Sequence, residues 1–442
     1  MLTEERMEEF YSLLERELVP ALGCTEPIAI AYAAARAREL LGCIPEQITV
    51  YCSGNIIKNA KGVNVPGASG MKGIDTSAVL GAVAGDASLR MEVLQKVTPE
   101  DVDQAKLLLK QGICKIVPLH GKANLHIIME EWANGHKVKV EIRDSHMNVI
   151  REEKDGEIIM LADEACVPTE AKGETQRLPT GYELLNMADI FQFVGQASLE
   201  RLERVIGPQI ACNLAIAEEG LKQNWGAQVG KTLLDYGENV QRRAAAYAAA
   251  ASDARMGGCI MPVIINSGSG NQGITVSVPV VIYARENCIP REMLIRALAL
   301  SNLVALLQKS YIGKLSAYCG AVSAGCGSAA GIAYLCGDSL ETIENTVTNT
   351  IANVSGIVCD GAKASCAAKI ATAVNAGFLG HDMAVRGTVF QSGDGLVKED
   401  ADHTIAAFGQ MAREGMRATD EEILNIMVSD VSDGTADVEE RW

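Results

Sequence analysis

Two stretches of this chain carry no charged side chain at all, Met256 to Ala284 and Leu315 to Gly337. A run of that length either crosses a bilayer, which takes about 20 helical residues, or lies inside a packed core. The first is interrupted by Gly268, Gly270, Gly273 and Pro279, and the second is built largely of Gly, Ala, Ser and Cys, which offer lipid little apolar area. Both read as buried core segments, and no membrane partner is expected.

With 442 residues the chain has room for two or three domains and a large core. Its 56 acidic against 39 basic residues give a formal charge of -17, which repels phosphate backbones, so nucleic acid is not an expected partner. Thirteen Cys stand beside only 6 His, a ratio that favours thiol chemistry over a His-rich zinc site. The start, MLTEERMEEFYSLLERELVP, has neither a basic region nor an uninterrupted apolar one, so no signal peptide is read there. The odd cysteine count without a dense spacing frame argues against a disulfide scaffold and for a reducing cytoplasm.

Helical periodicity covers about Glu4 to Leu18 and Pro27 to Leu41. A strand, Ile48 to Ser53, then enters a loop, GNIIKNAKGVNVPG, followed by helices near Ser77 to Gln95 and Pro99 to Lys110. From Cys114 to Leu161 the pattern is strand-like, with Asn134-Gly135 and Asp155-Gly156 suited to tight hairpin turns. Ala165 to Pro179 reads as a linker, and the remainder as helix or buried Gly/Ala-rich segment. The fold class is α+β: a mostly helical catalytic domain (residues 1–45 and 180–442) with an inserted α+β domain (46–179, linker included) carrying a small, mainly antiparallel sheet.

Two phosphate-loop lookalikes fail on detail. WGAQVGKT has Trp225 where the P-loop needs Gly. GSGNQG fits dinucleotide spacing, but the following ITVSVPVV is β-branched rather than helix-forming and no acid lies about 20 residues on. Its backbone N–H groups and hydroxyls still suit an anion, a substrate carboxylate as well as a phosphate.

Eight cysteines, Cys43, Cys52, Cys114, Cys166, Cys212, Cys259, Cys288 and Cys336, are mostly isolated among apolar residues and read as small buried hydrophobes. Cys319, Cys326, Cys359 and Cys366 instead gather on uncharged, Gly/Ala-rich backbone. No C-x-x-C occurs, so zinc ribbons, thioredoxin-like pairs and bacterial ferredoxin runs are excluded. A helix from about Leu340 to Ser355, with Asp338 as N-cap and Glu341 three residues on, separates the pairs. DGAKAS then leads into the helix CAAKIATAV, whose N-terminus stabilises thiolate charge; by spacing alone, an iron–sulfur site and buried structural cysteines both remain open. Cys24, in ALGCTEPIAIAYAAA, lies just before a helix that Thr25 and Pro27 start, where a reactive thiolate and a partly buried Cys are both reasonable.

GCTEPIAIA, SGNIIKNAKGVNVPG, NSGSGNQGI, YCGAVSAGCGSAAG and GIVCDGAKASC, in this order, resemble the L-cysteine desulfidase family over nearly the whole chain. The C-terminal half also resembles the α region of the iron–sulfur L-serine dehydratases. The resemblance implies a 4Fe-4S cluster on Cys319, Cys359 and Cys366 with one iron open to substrate, Cys326 being the alternative ligand in the same glycine-rich run. It also implies Cys24 as the base that removes the Cα proton in β-elimination of L-cysteine to pyruvate, ammonia and hydrogen sulfide. Asn55, Lys58 and Asn59 with Ser267, Gly268, Ser269, Gly270, Asn271 and Gln272 are the expected contacts to the carboxylate and amino group of an amino-acid substrate, and Lys58 is the second candidate base. A homo-oligomer, taken as a dimer, is the expected assembly. L-serine dehydration, a pyridoxal-phosphate lyase and a non-enzymatic iron–sulfur sensor are the competing readings.

Overall fold

A computed structural model describes residues 2–119, 125–162, 182, 185–235, 237, 239–313 and 316–429. Helix α1 (Glu4–Glu17) is capped by Thr3, whose side chain accepts the Arg6 N–H, and turns Phe10, Leu13 and Leu14 inward. Strand β1 (Pro20–Leu22) leads to α2 (Thr25–Leu41), which ends on Gly42 at φ +84°. Strand β2 (Gln47–Ser53) is followed by α3 (Gly54–Ala60), so the start of the expected loop is one short helix. The helix expected from Ser77 to Gln95 divides into α4 (Ile74–Ala84) and a 3₁₀ segment, Ala87–Glu92; α5 (Pro99–Lys110) begins at a Thr98/Asp101 capping box.

Strands β3 (Cys114–Leu119), β4 (His126–Ala133), β5 (His136–Arg143), β6 (Val149–Lys154) and β7 (Glu157–Leu161) join β2 in a six-stranded sheet ordered β3-β2-β4-β5-β6-β7. The β2/β3 pair is parallel, because three helices separate them, and every other pair is antiparallel. Asn134-Gly135 and Asp155-Gly156 all have positive φ, as the hairpin reading required. The expected linker, and Cys166 with it, falls outside the described residues.

The rest is helical: α6 (Met187–Gln196), α7 (Leu199–Lys222), α8 (Val229–Asp235), α9 (Val240–Met256), α10 (Gly270–Glu286), α11 (Arg291–Ile312), α12 (Gly320–Leu335), α13 (Leu340–Val354), α14 (Cys366–Val385), α15 (Ala401–Gln410) and α16 (Arg417–Ser429). A short strand, β8 (Pro262–Ile264), pairs antiparallel with β1. Two corrections to the sequence reading follow. ITVSVPVV lies within α10, where burial on nearly every side outweighs its β propensity. The cap of α13 is Ser339, not Asp338: the Ser339 hydroxyl accepts the Thr342 N–H.

One large core unites α1, α6, α7 and α9 to α15, and a second unites α2 to α5 with the sheet. The change of core falls within β1, since Ala21 belongs to the first and Leu22 to the second. Helix α2 packs on α4, β4 and β5, across the division expected at residue 45 from the helical half. Among the described residues most of both uncharged runs is interior, with Ile260 and the Cys336–Gly337 end of the second run at the surface. Helix α12 touches α10, α11, α13 and α14, and at Gly327 a Cβ would stand 2.5 Å from the Ser301 carbonyl, so small residues set the α11/α12 spacing. Among the described residues α11 is the one helix long and apolar enough to cross a membrane, and 83% of its apolar segment is buried by its neighbours.

Candidate active site

A cavity of about 920 Å³ opens between the two cores, and most of the sequence motifs meet on its wall. Cys319 and Cys359 are held by backbone. The Cys319 N–H donates to Ile357 O at 3.1 Å and the Cys359 N–H to Ala317 O at 2.6 Å, around a single antiparallel bridge of Tyr318 to Val358. Cys319 is the N-cap of α12, and Cys366 the first residue of α14. The Lys363 N–H points to Cys366 Sγ at 3.4 Å. All three thiols are free and line the cavity. Burial first, and then the charge of Cys359, push the Cys319 thiol up to about 12; burial, then Cys359, push Cys366 up as well.

Cys326 lies farther along α12, fully buried in the helical core, and is not on the cavity wall. Of the eight cysteines read as filler, Cys52 and Cys259 are buried and Cys43, Cys114 and Cys212 partly so, but Cys288 and Cys336 are exposed.

Ser267 and Gly268, both at positive φ, turn the chain into α10, whose N-cap Ser269 accepts the Gln272 N–H at 3.4 Å. Helix starts leave N–H groups without intrahelical partners, a chemistry compatible with an anion. Ser267, Gly268, Ser269, Asn271 and Gln272 line the cavity; Gly270 is buried behind them against the Arg255 guanidinium. Arg255, at 4% exposure, donates from Nη1 to Asn271 Oδ1 at 3.1 Å, which sets a positive charge beside the turn. The Gln272 carboxamide lies against Gly320, and its Oε1 is buried without a partner. A strand, a glycine turn and a helix do follow one another here, but β8 pairs only antiparallel with β1, so the parallel dinucleotide-binding unit is absent from the described residues. In the P-loop lookalike, the Gly230 N–H donates to Asp253 Oδ2 at 3.0 Å, with the Ala227, Gln228 and Val229 N–H groups also acting on that carboxyl. A side chain of the protein itself occupies the place of a phosphate.

Asn59 lines the cavity and donates to the Asn55 carbonyl at 2.9 Å. Asn55 is buried, and Lys58, at 1% exposure, is paired with Asp420 of α16; neither reaches the cavity wall. The short α3 helix turns them away from it. The end of the same helix instead anchors the loop before α14: Lys363 Nζ donates to the carbonyls of Lys58 (3.2 Å) and of the C-cap Lys61 (3.0 Å), and Gly361, at φ +90°, packs on Lys58 O.

Cys24 is the N-cap of α2 but is 1% exposed, packed with Met256, Val63 and Cys366 behind the cavity wall. Burial pushes its thiol up to about 12, with Arg255 pulling the other way. Desolvation thus outweighs the helix-terminus effect expected from the sequence.

Sequence reasoning missed Glu26, His146, Arg255 and Lys309, all cavity-lining. Glu26 was inside a quoted motif, and Arg255 immediately precedes the first uncharged run. His146 carried no local signal. It arrives from the turn between β5 and β6, so the sheet unit supplies part of the wall.

A family profile described as serine dehydratase alpha chain matches residues 88–425. The chain is also similar to proteins named UPF0597 protein. That of Lachnoclostridium phytofermentans is 48% identical over 96% of this chain and 100% of the relative. That of Finegoldia magna is 46% identical over the same shares. That of Treponema denticola is 46% identical over 97% of this chain and 100% of its own.

Proposed function

Since the chain belongs to the serine dehydratase alpha chain family, a family of lyase-type enzymes, we propose that it is an iron–sulfur lyase that eliminates the β-substituent of L-cysteine. Products would be hydrogen sulfide and aminoacrylate, the latter going with water to pyruvate and ammonia. One observation carries the reading: three free thiols, Cys319, Cys359 and Cys366, share the wall of one cavity with a helix-start anion turn and a buried arginine.

The donor set suits a 4Fe-4S cluster. Three soft ligands on two helix starts and one bridged strand leave a fourth coordination position without a protein thiol, because Cys326 is turned into the core. Bound there, a cluster supplies a Lewis-acidic iron that favours departure of the substrate's sulfur or oxygen.

The remaining work falls to the chain. Arg255 and the first N–H groups of α10 bind the substrate carboxylate, while Asn59 and Gln272 offer carboxamide groups to the amino end. Cys24 remains the family-derived base for the Cα proton. His146, which lines the cavity and has Glu26 beside it, is the competing base that the geometry offers.

A second reading, L-serine dehydration, is favoured by the description of the matching family. Both substrates use the same carboxylate cradle. Anaerobic reconstitution with iron and sulfide, followed by kcat/KM for L-cysteine and L-serine, decides between them. Higher kcat/KM for serine overturns the desulfidase reading, and an intact cluster with pyruvate from neither points to a sensor.

A further inference from the structure

Helices α12 and α14 carry proposed cluster ligands at their N-terminal ends, and a second group of ligand-type side chains gathers toward their other ends. Cys336 caps the C-terminus of α12, and the turn through Gly337, at φ +78°, brings Asp338 back toward α14. There His381 Nε2 meets Asp338 Oδ2 at 2.7 Å. The thiol, carboxylate and imidazole ligand atoms all lie within 4.8 Å of one another. The sixteen residues of α12 separate Cys319 from this group, about 24 Å at 1.5 Å per residue.

We propose that Cys336, Asp338 and His381 form a divalent transition-metal site, with zinc as the fitting ion, distinct from the cluster cavity. Zinc takes thiolate, imidazole and carboxylate at about 2.0–2.3 Å in a tetrahedron, which sets ligand atoms about 3.3–3.8 Å apart. The 2.7 Å His381–Asp338 separation and the 4.8 Å limit on the group lie on either side of that spacing. A thiolate and a carboxylate together also match the charge of a divalent ion. Among the described residues Asp338 is paired with His381 and with no Lys or Arg, so no cation of the protein occupies this role. Tyr283, from α10, places its hydroxyl 3.2 Å from Cys336 Sγ, as a hydrogen-bond partner to the sulfur; a fourth ligand would come from solvent, since Cys336 is exposed. The burial gradient runs from exposed Cys336 through half-buried Asp338 to buried His381, so the ion would reach its innermost ligand from the surface.

Such an ion would fasten the α12–α13 turn to α14. These helices also present Cys319 and Cys366, so the site would act as a structural clamp behind the cluster end without touching it. The inference stands apart from the proposed reaction, because neither Cys336 nor His381 lines the cavity.

Cobalt(II) titration of the full-length protein, read by its thiolate-to-metal absorption band, tests this. One equivalent with that band is expected in wild type and in Cys319→Ala, and its loss in Cys336→Ser and His381→Ala. Cys336 is at the surface, so the serine variant is expected to fold even if the buried histidine is not replaceable. Zinc should also raise the unfolding midpoint of wild type but not of Cys336→Ser, while iron content and turnover of the reconstituted Cys336→Ser protein stay at the wild-type level. The site is refuted if cobalt binding and its band are the same in Cys336→Ser as in wild type, or if they disappear only with Cys319.

Discussion

His146 Nε2 stands 3.8 Å from Glu26 Oε1, so a side chain of the sheet unit faces the first turn of α2 across the cavity wall. Burial pushes the Glu26 carboxyl up, but His146, the backbone and Thr25, whose hydroxyl donates to it at 3.0 Å, together hold it below the usual range. The carboxylate is therefore ionised at neutral pH and able to orient the imidazole. His146→Ala and Glu26→Gln should each lower kcat/KM about 10²-fold or more, the usual span of acid–base assistance, with iron content unchanged. Because the Glu26 pKa is depressed, its contribution to folding stability is present above the unfolded value and lost as pH falls through the folded one. Glu26→Gln should remove that acid-side loss from the stability–pH profile, measured by denaturant unfolding at several pH values.

Alanine at Cys319, Cys359 or Cys366 should abolish or strongly reduce bound iron after anaerobic reconstitution. Cys326→Ala should keep it, since that thiol faces the core rather than the cavity. Full iron in the first three variants would refute the ligand assignment.

Cys24→Ala should retain the cluster and lose turnover if this thiol removes the Cα proton. Its thiol is pushed up to about 12, so it is protonated at neutral pH unless the loaded site changes its surroundings. Wild-type kcat in Cys24→Ala would transfer the role to His146.

Gly361→Ala tests the anchoring of the cluster loop. A side chain at φ +90° costs about 1–2 kcal/mol, and this one would also press on the Lys58 carbonyl. A lower unfolding midpoint with impaired iron uptake is expected, measured by thermal denaturation and iron assay.

Glu131 is fully buried on β4, and neither carboxyl oxygen has a hydrogen-bond partner. Burial raises its pKa well above the ordinary value, with Arg38 opposing. The sign is thus opposite to Glu26: stability is fully present below the unfolded pKa and lost as pH rises through the folded one. Glu131→Met should gain about 1–3 kcal/mol at neutral pH, the usual cost of an unsatisfied buried polar group. Denaturant unfolding at several pH values should show a flatter profile for the variant.

The hairpins at Asn134-Gly135 and Asp155-Gly156, the capped helix from Pro99 to Lys110 and the α+β class were legible because turn chemistry, capping and periodicity are local. The helical state of ITVSVPVV was not, since enclosure by other elements decides it. Likewise α3 turns Lys58 toward Asp420, a partner 362 residues away.

The sequence by itself determined the thiol-rich composition, the net negative charge, the order of the motifs and the family relation that the profile match bears out. Only the tertiary structure decided which cysteines share a cavity, that Cys24 is sealed behind its wall, that His146 enters from the sheet, and that Cys336 lies at the surface beside Asp338 and His381. The physical reason is one of range. Propensity and capping act over a few residues, whereas desolvation, charge pairing and ligand convergence depend on what packs across the fold.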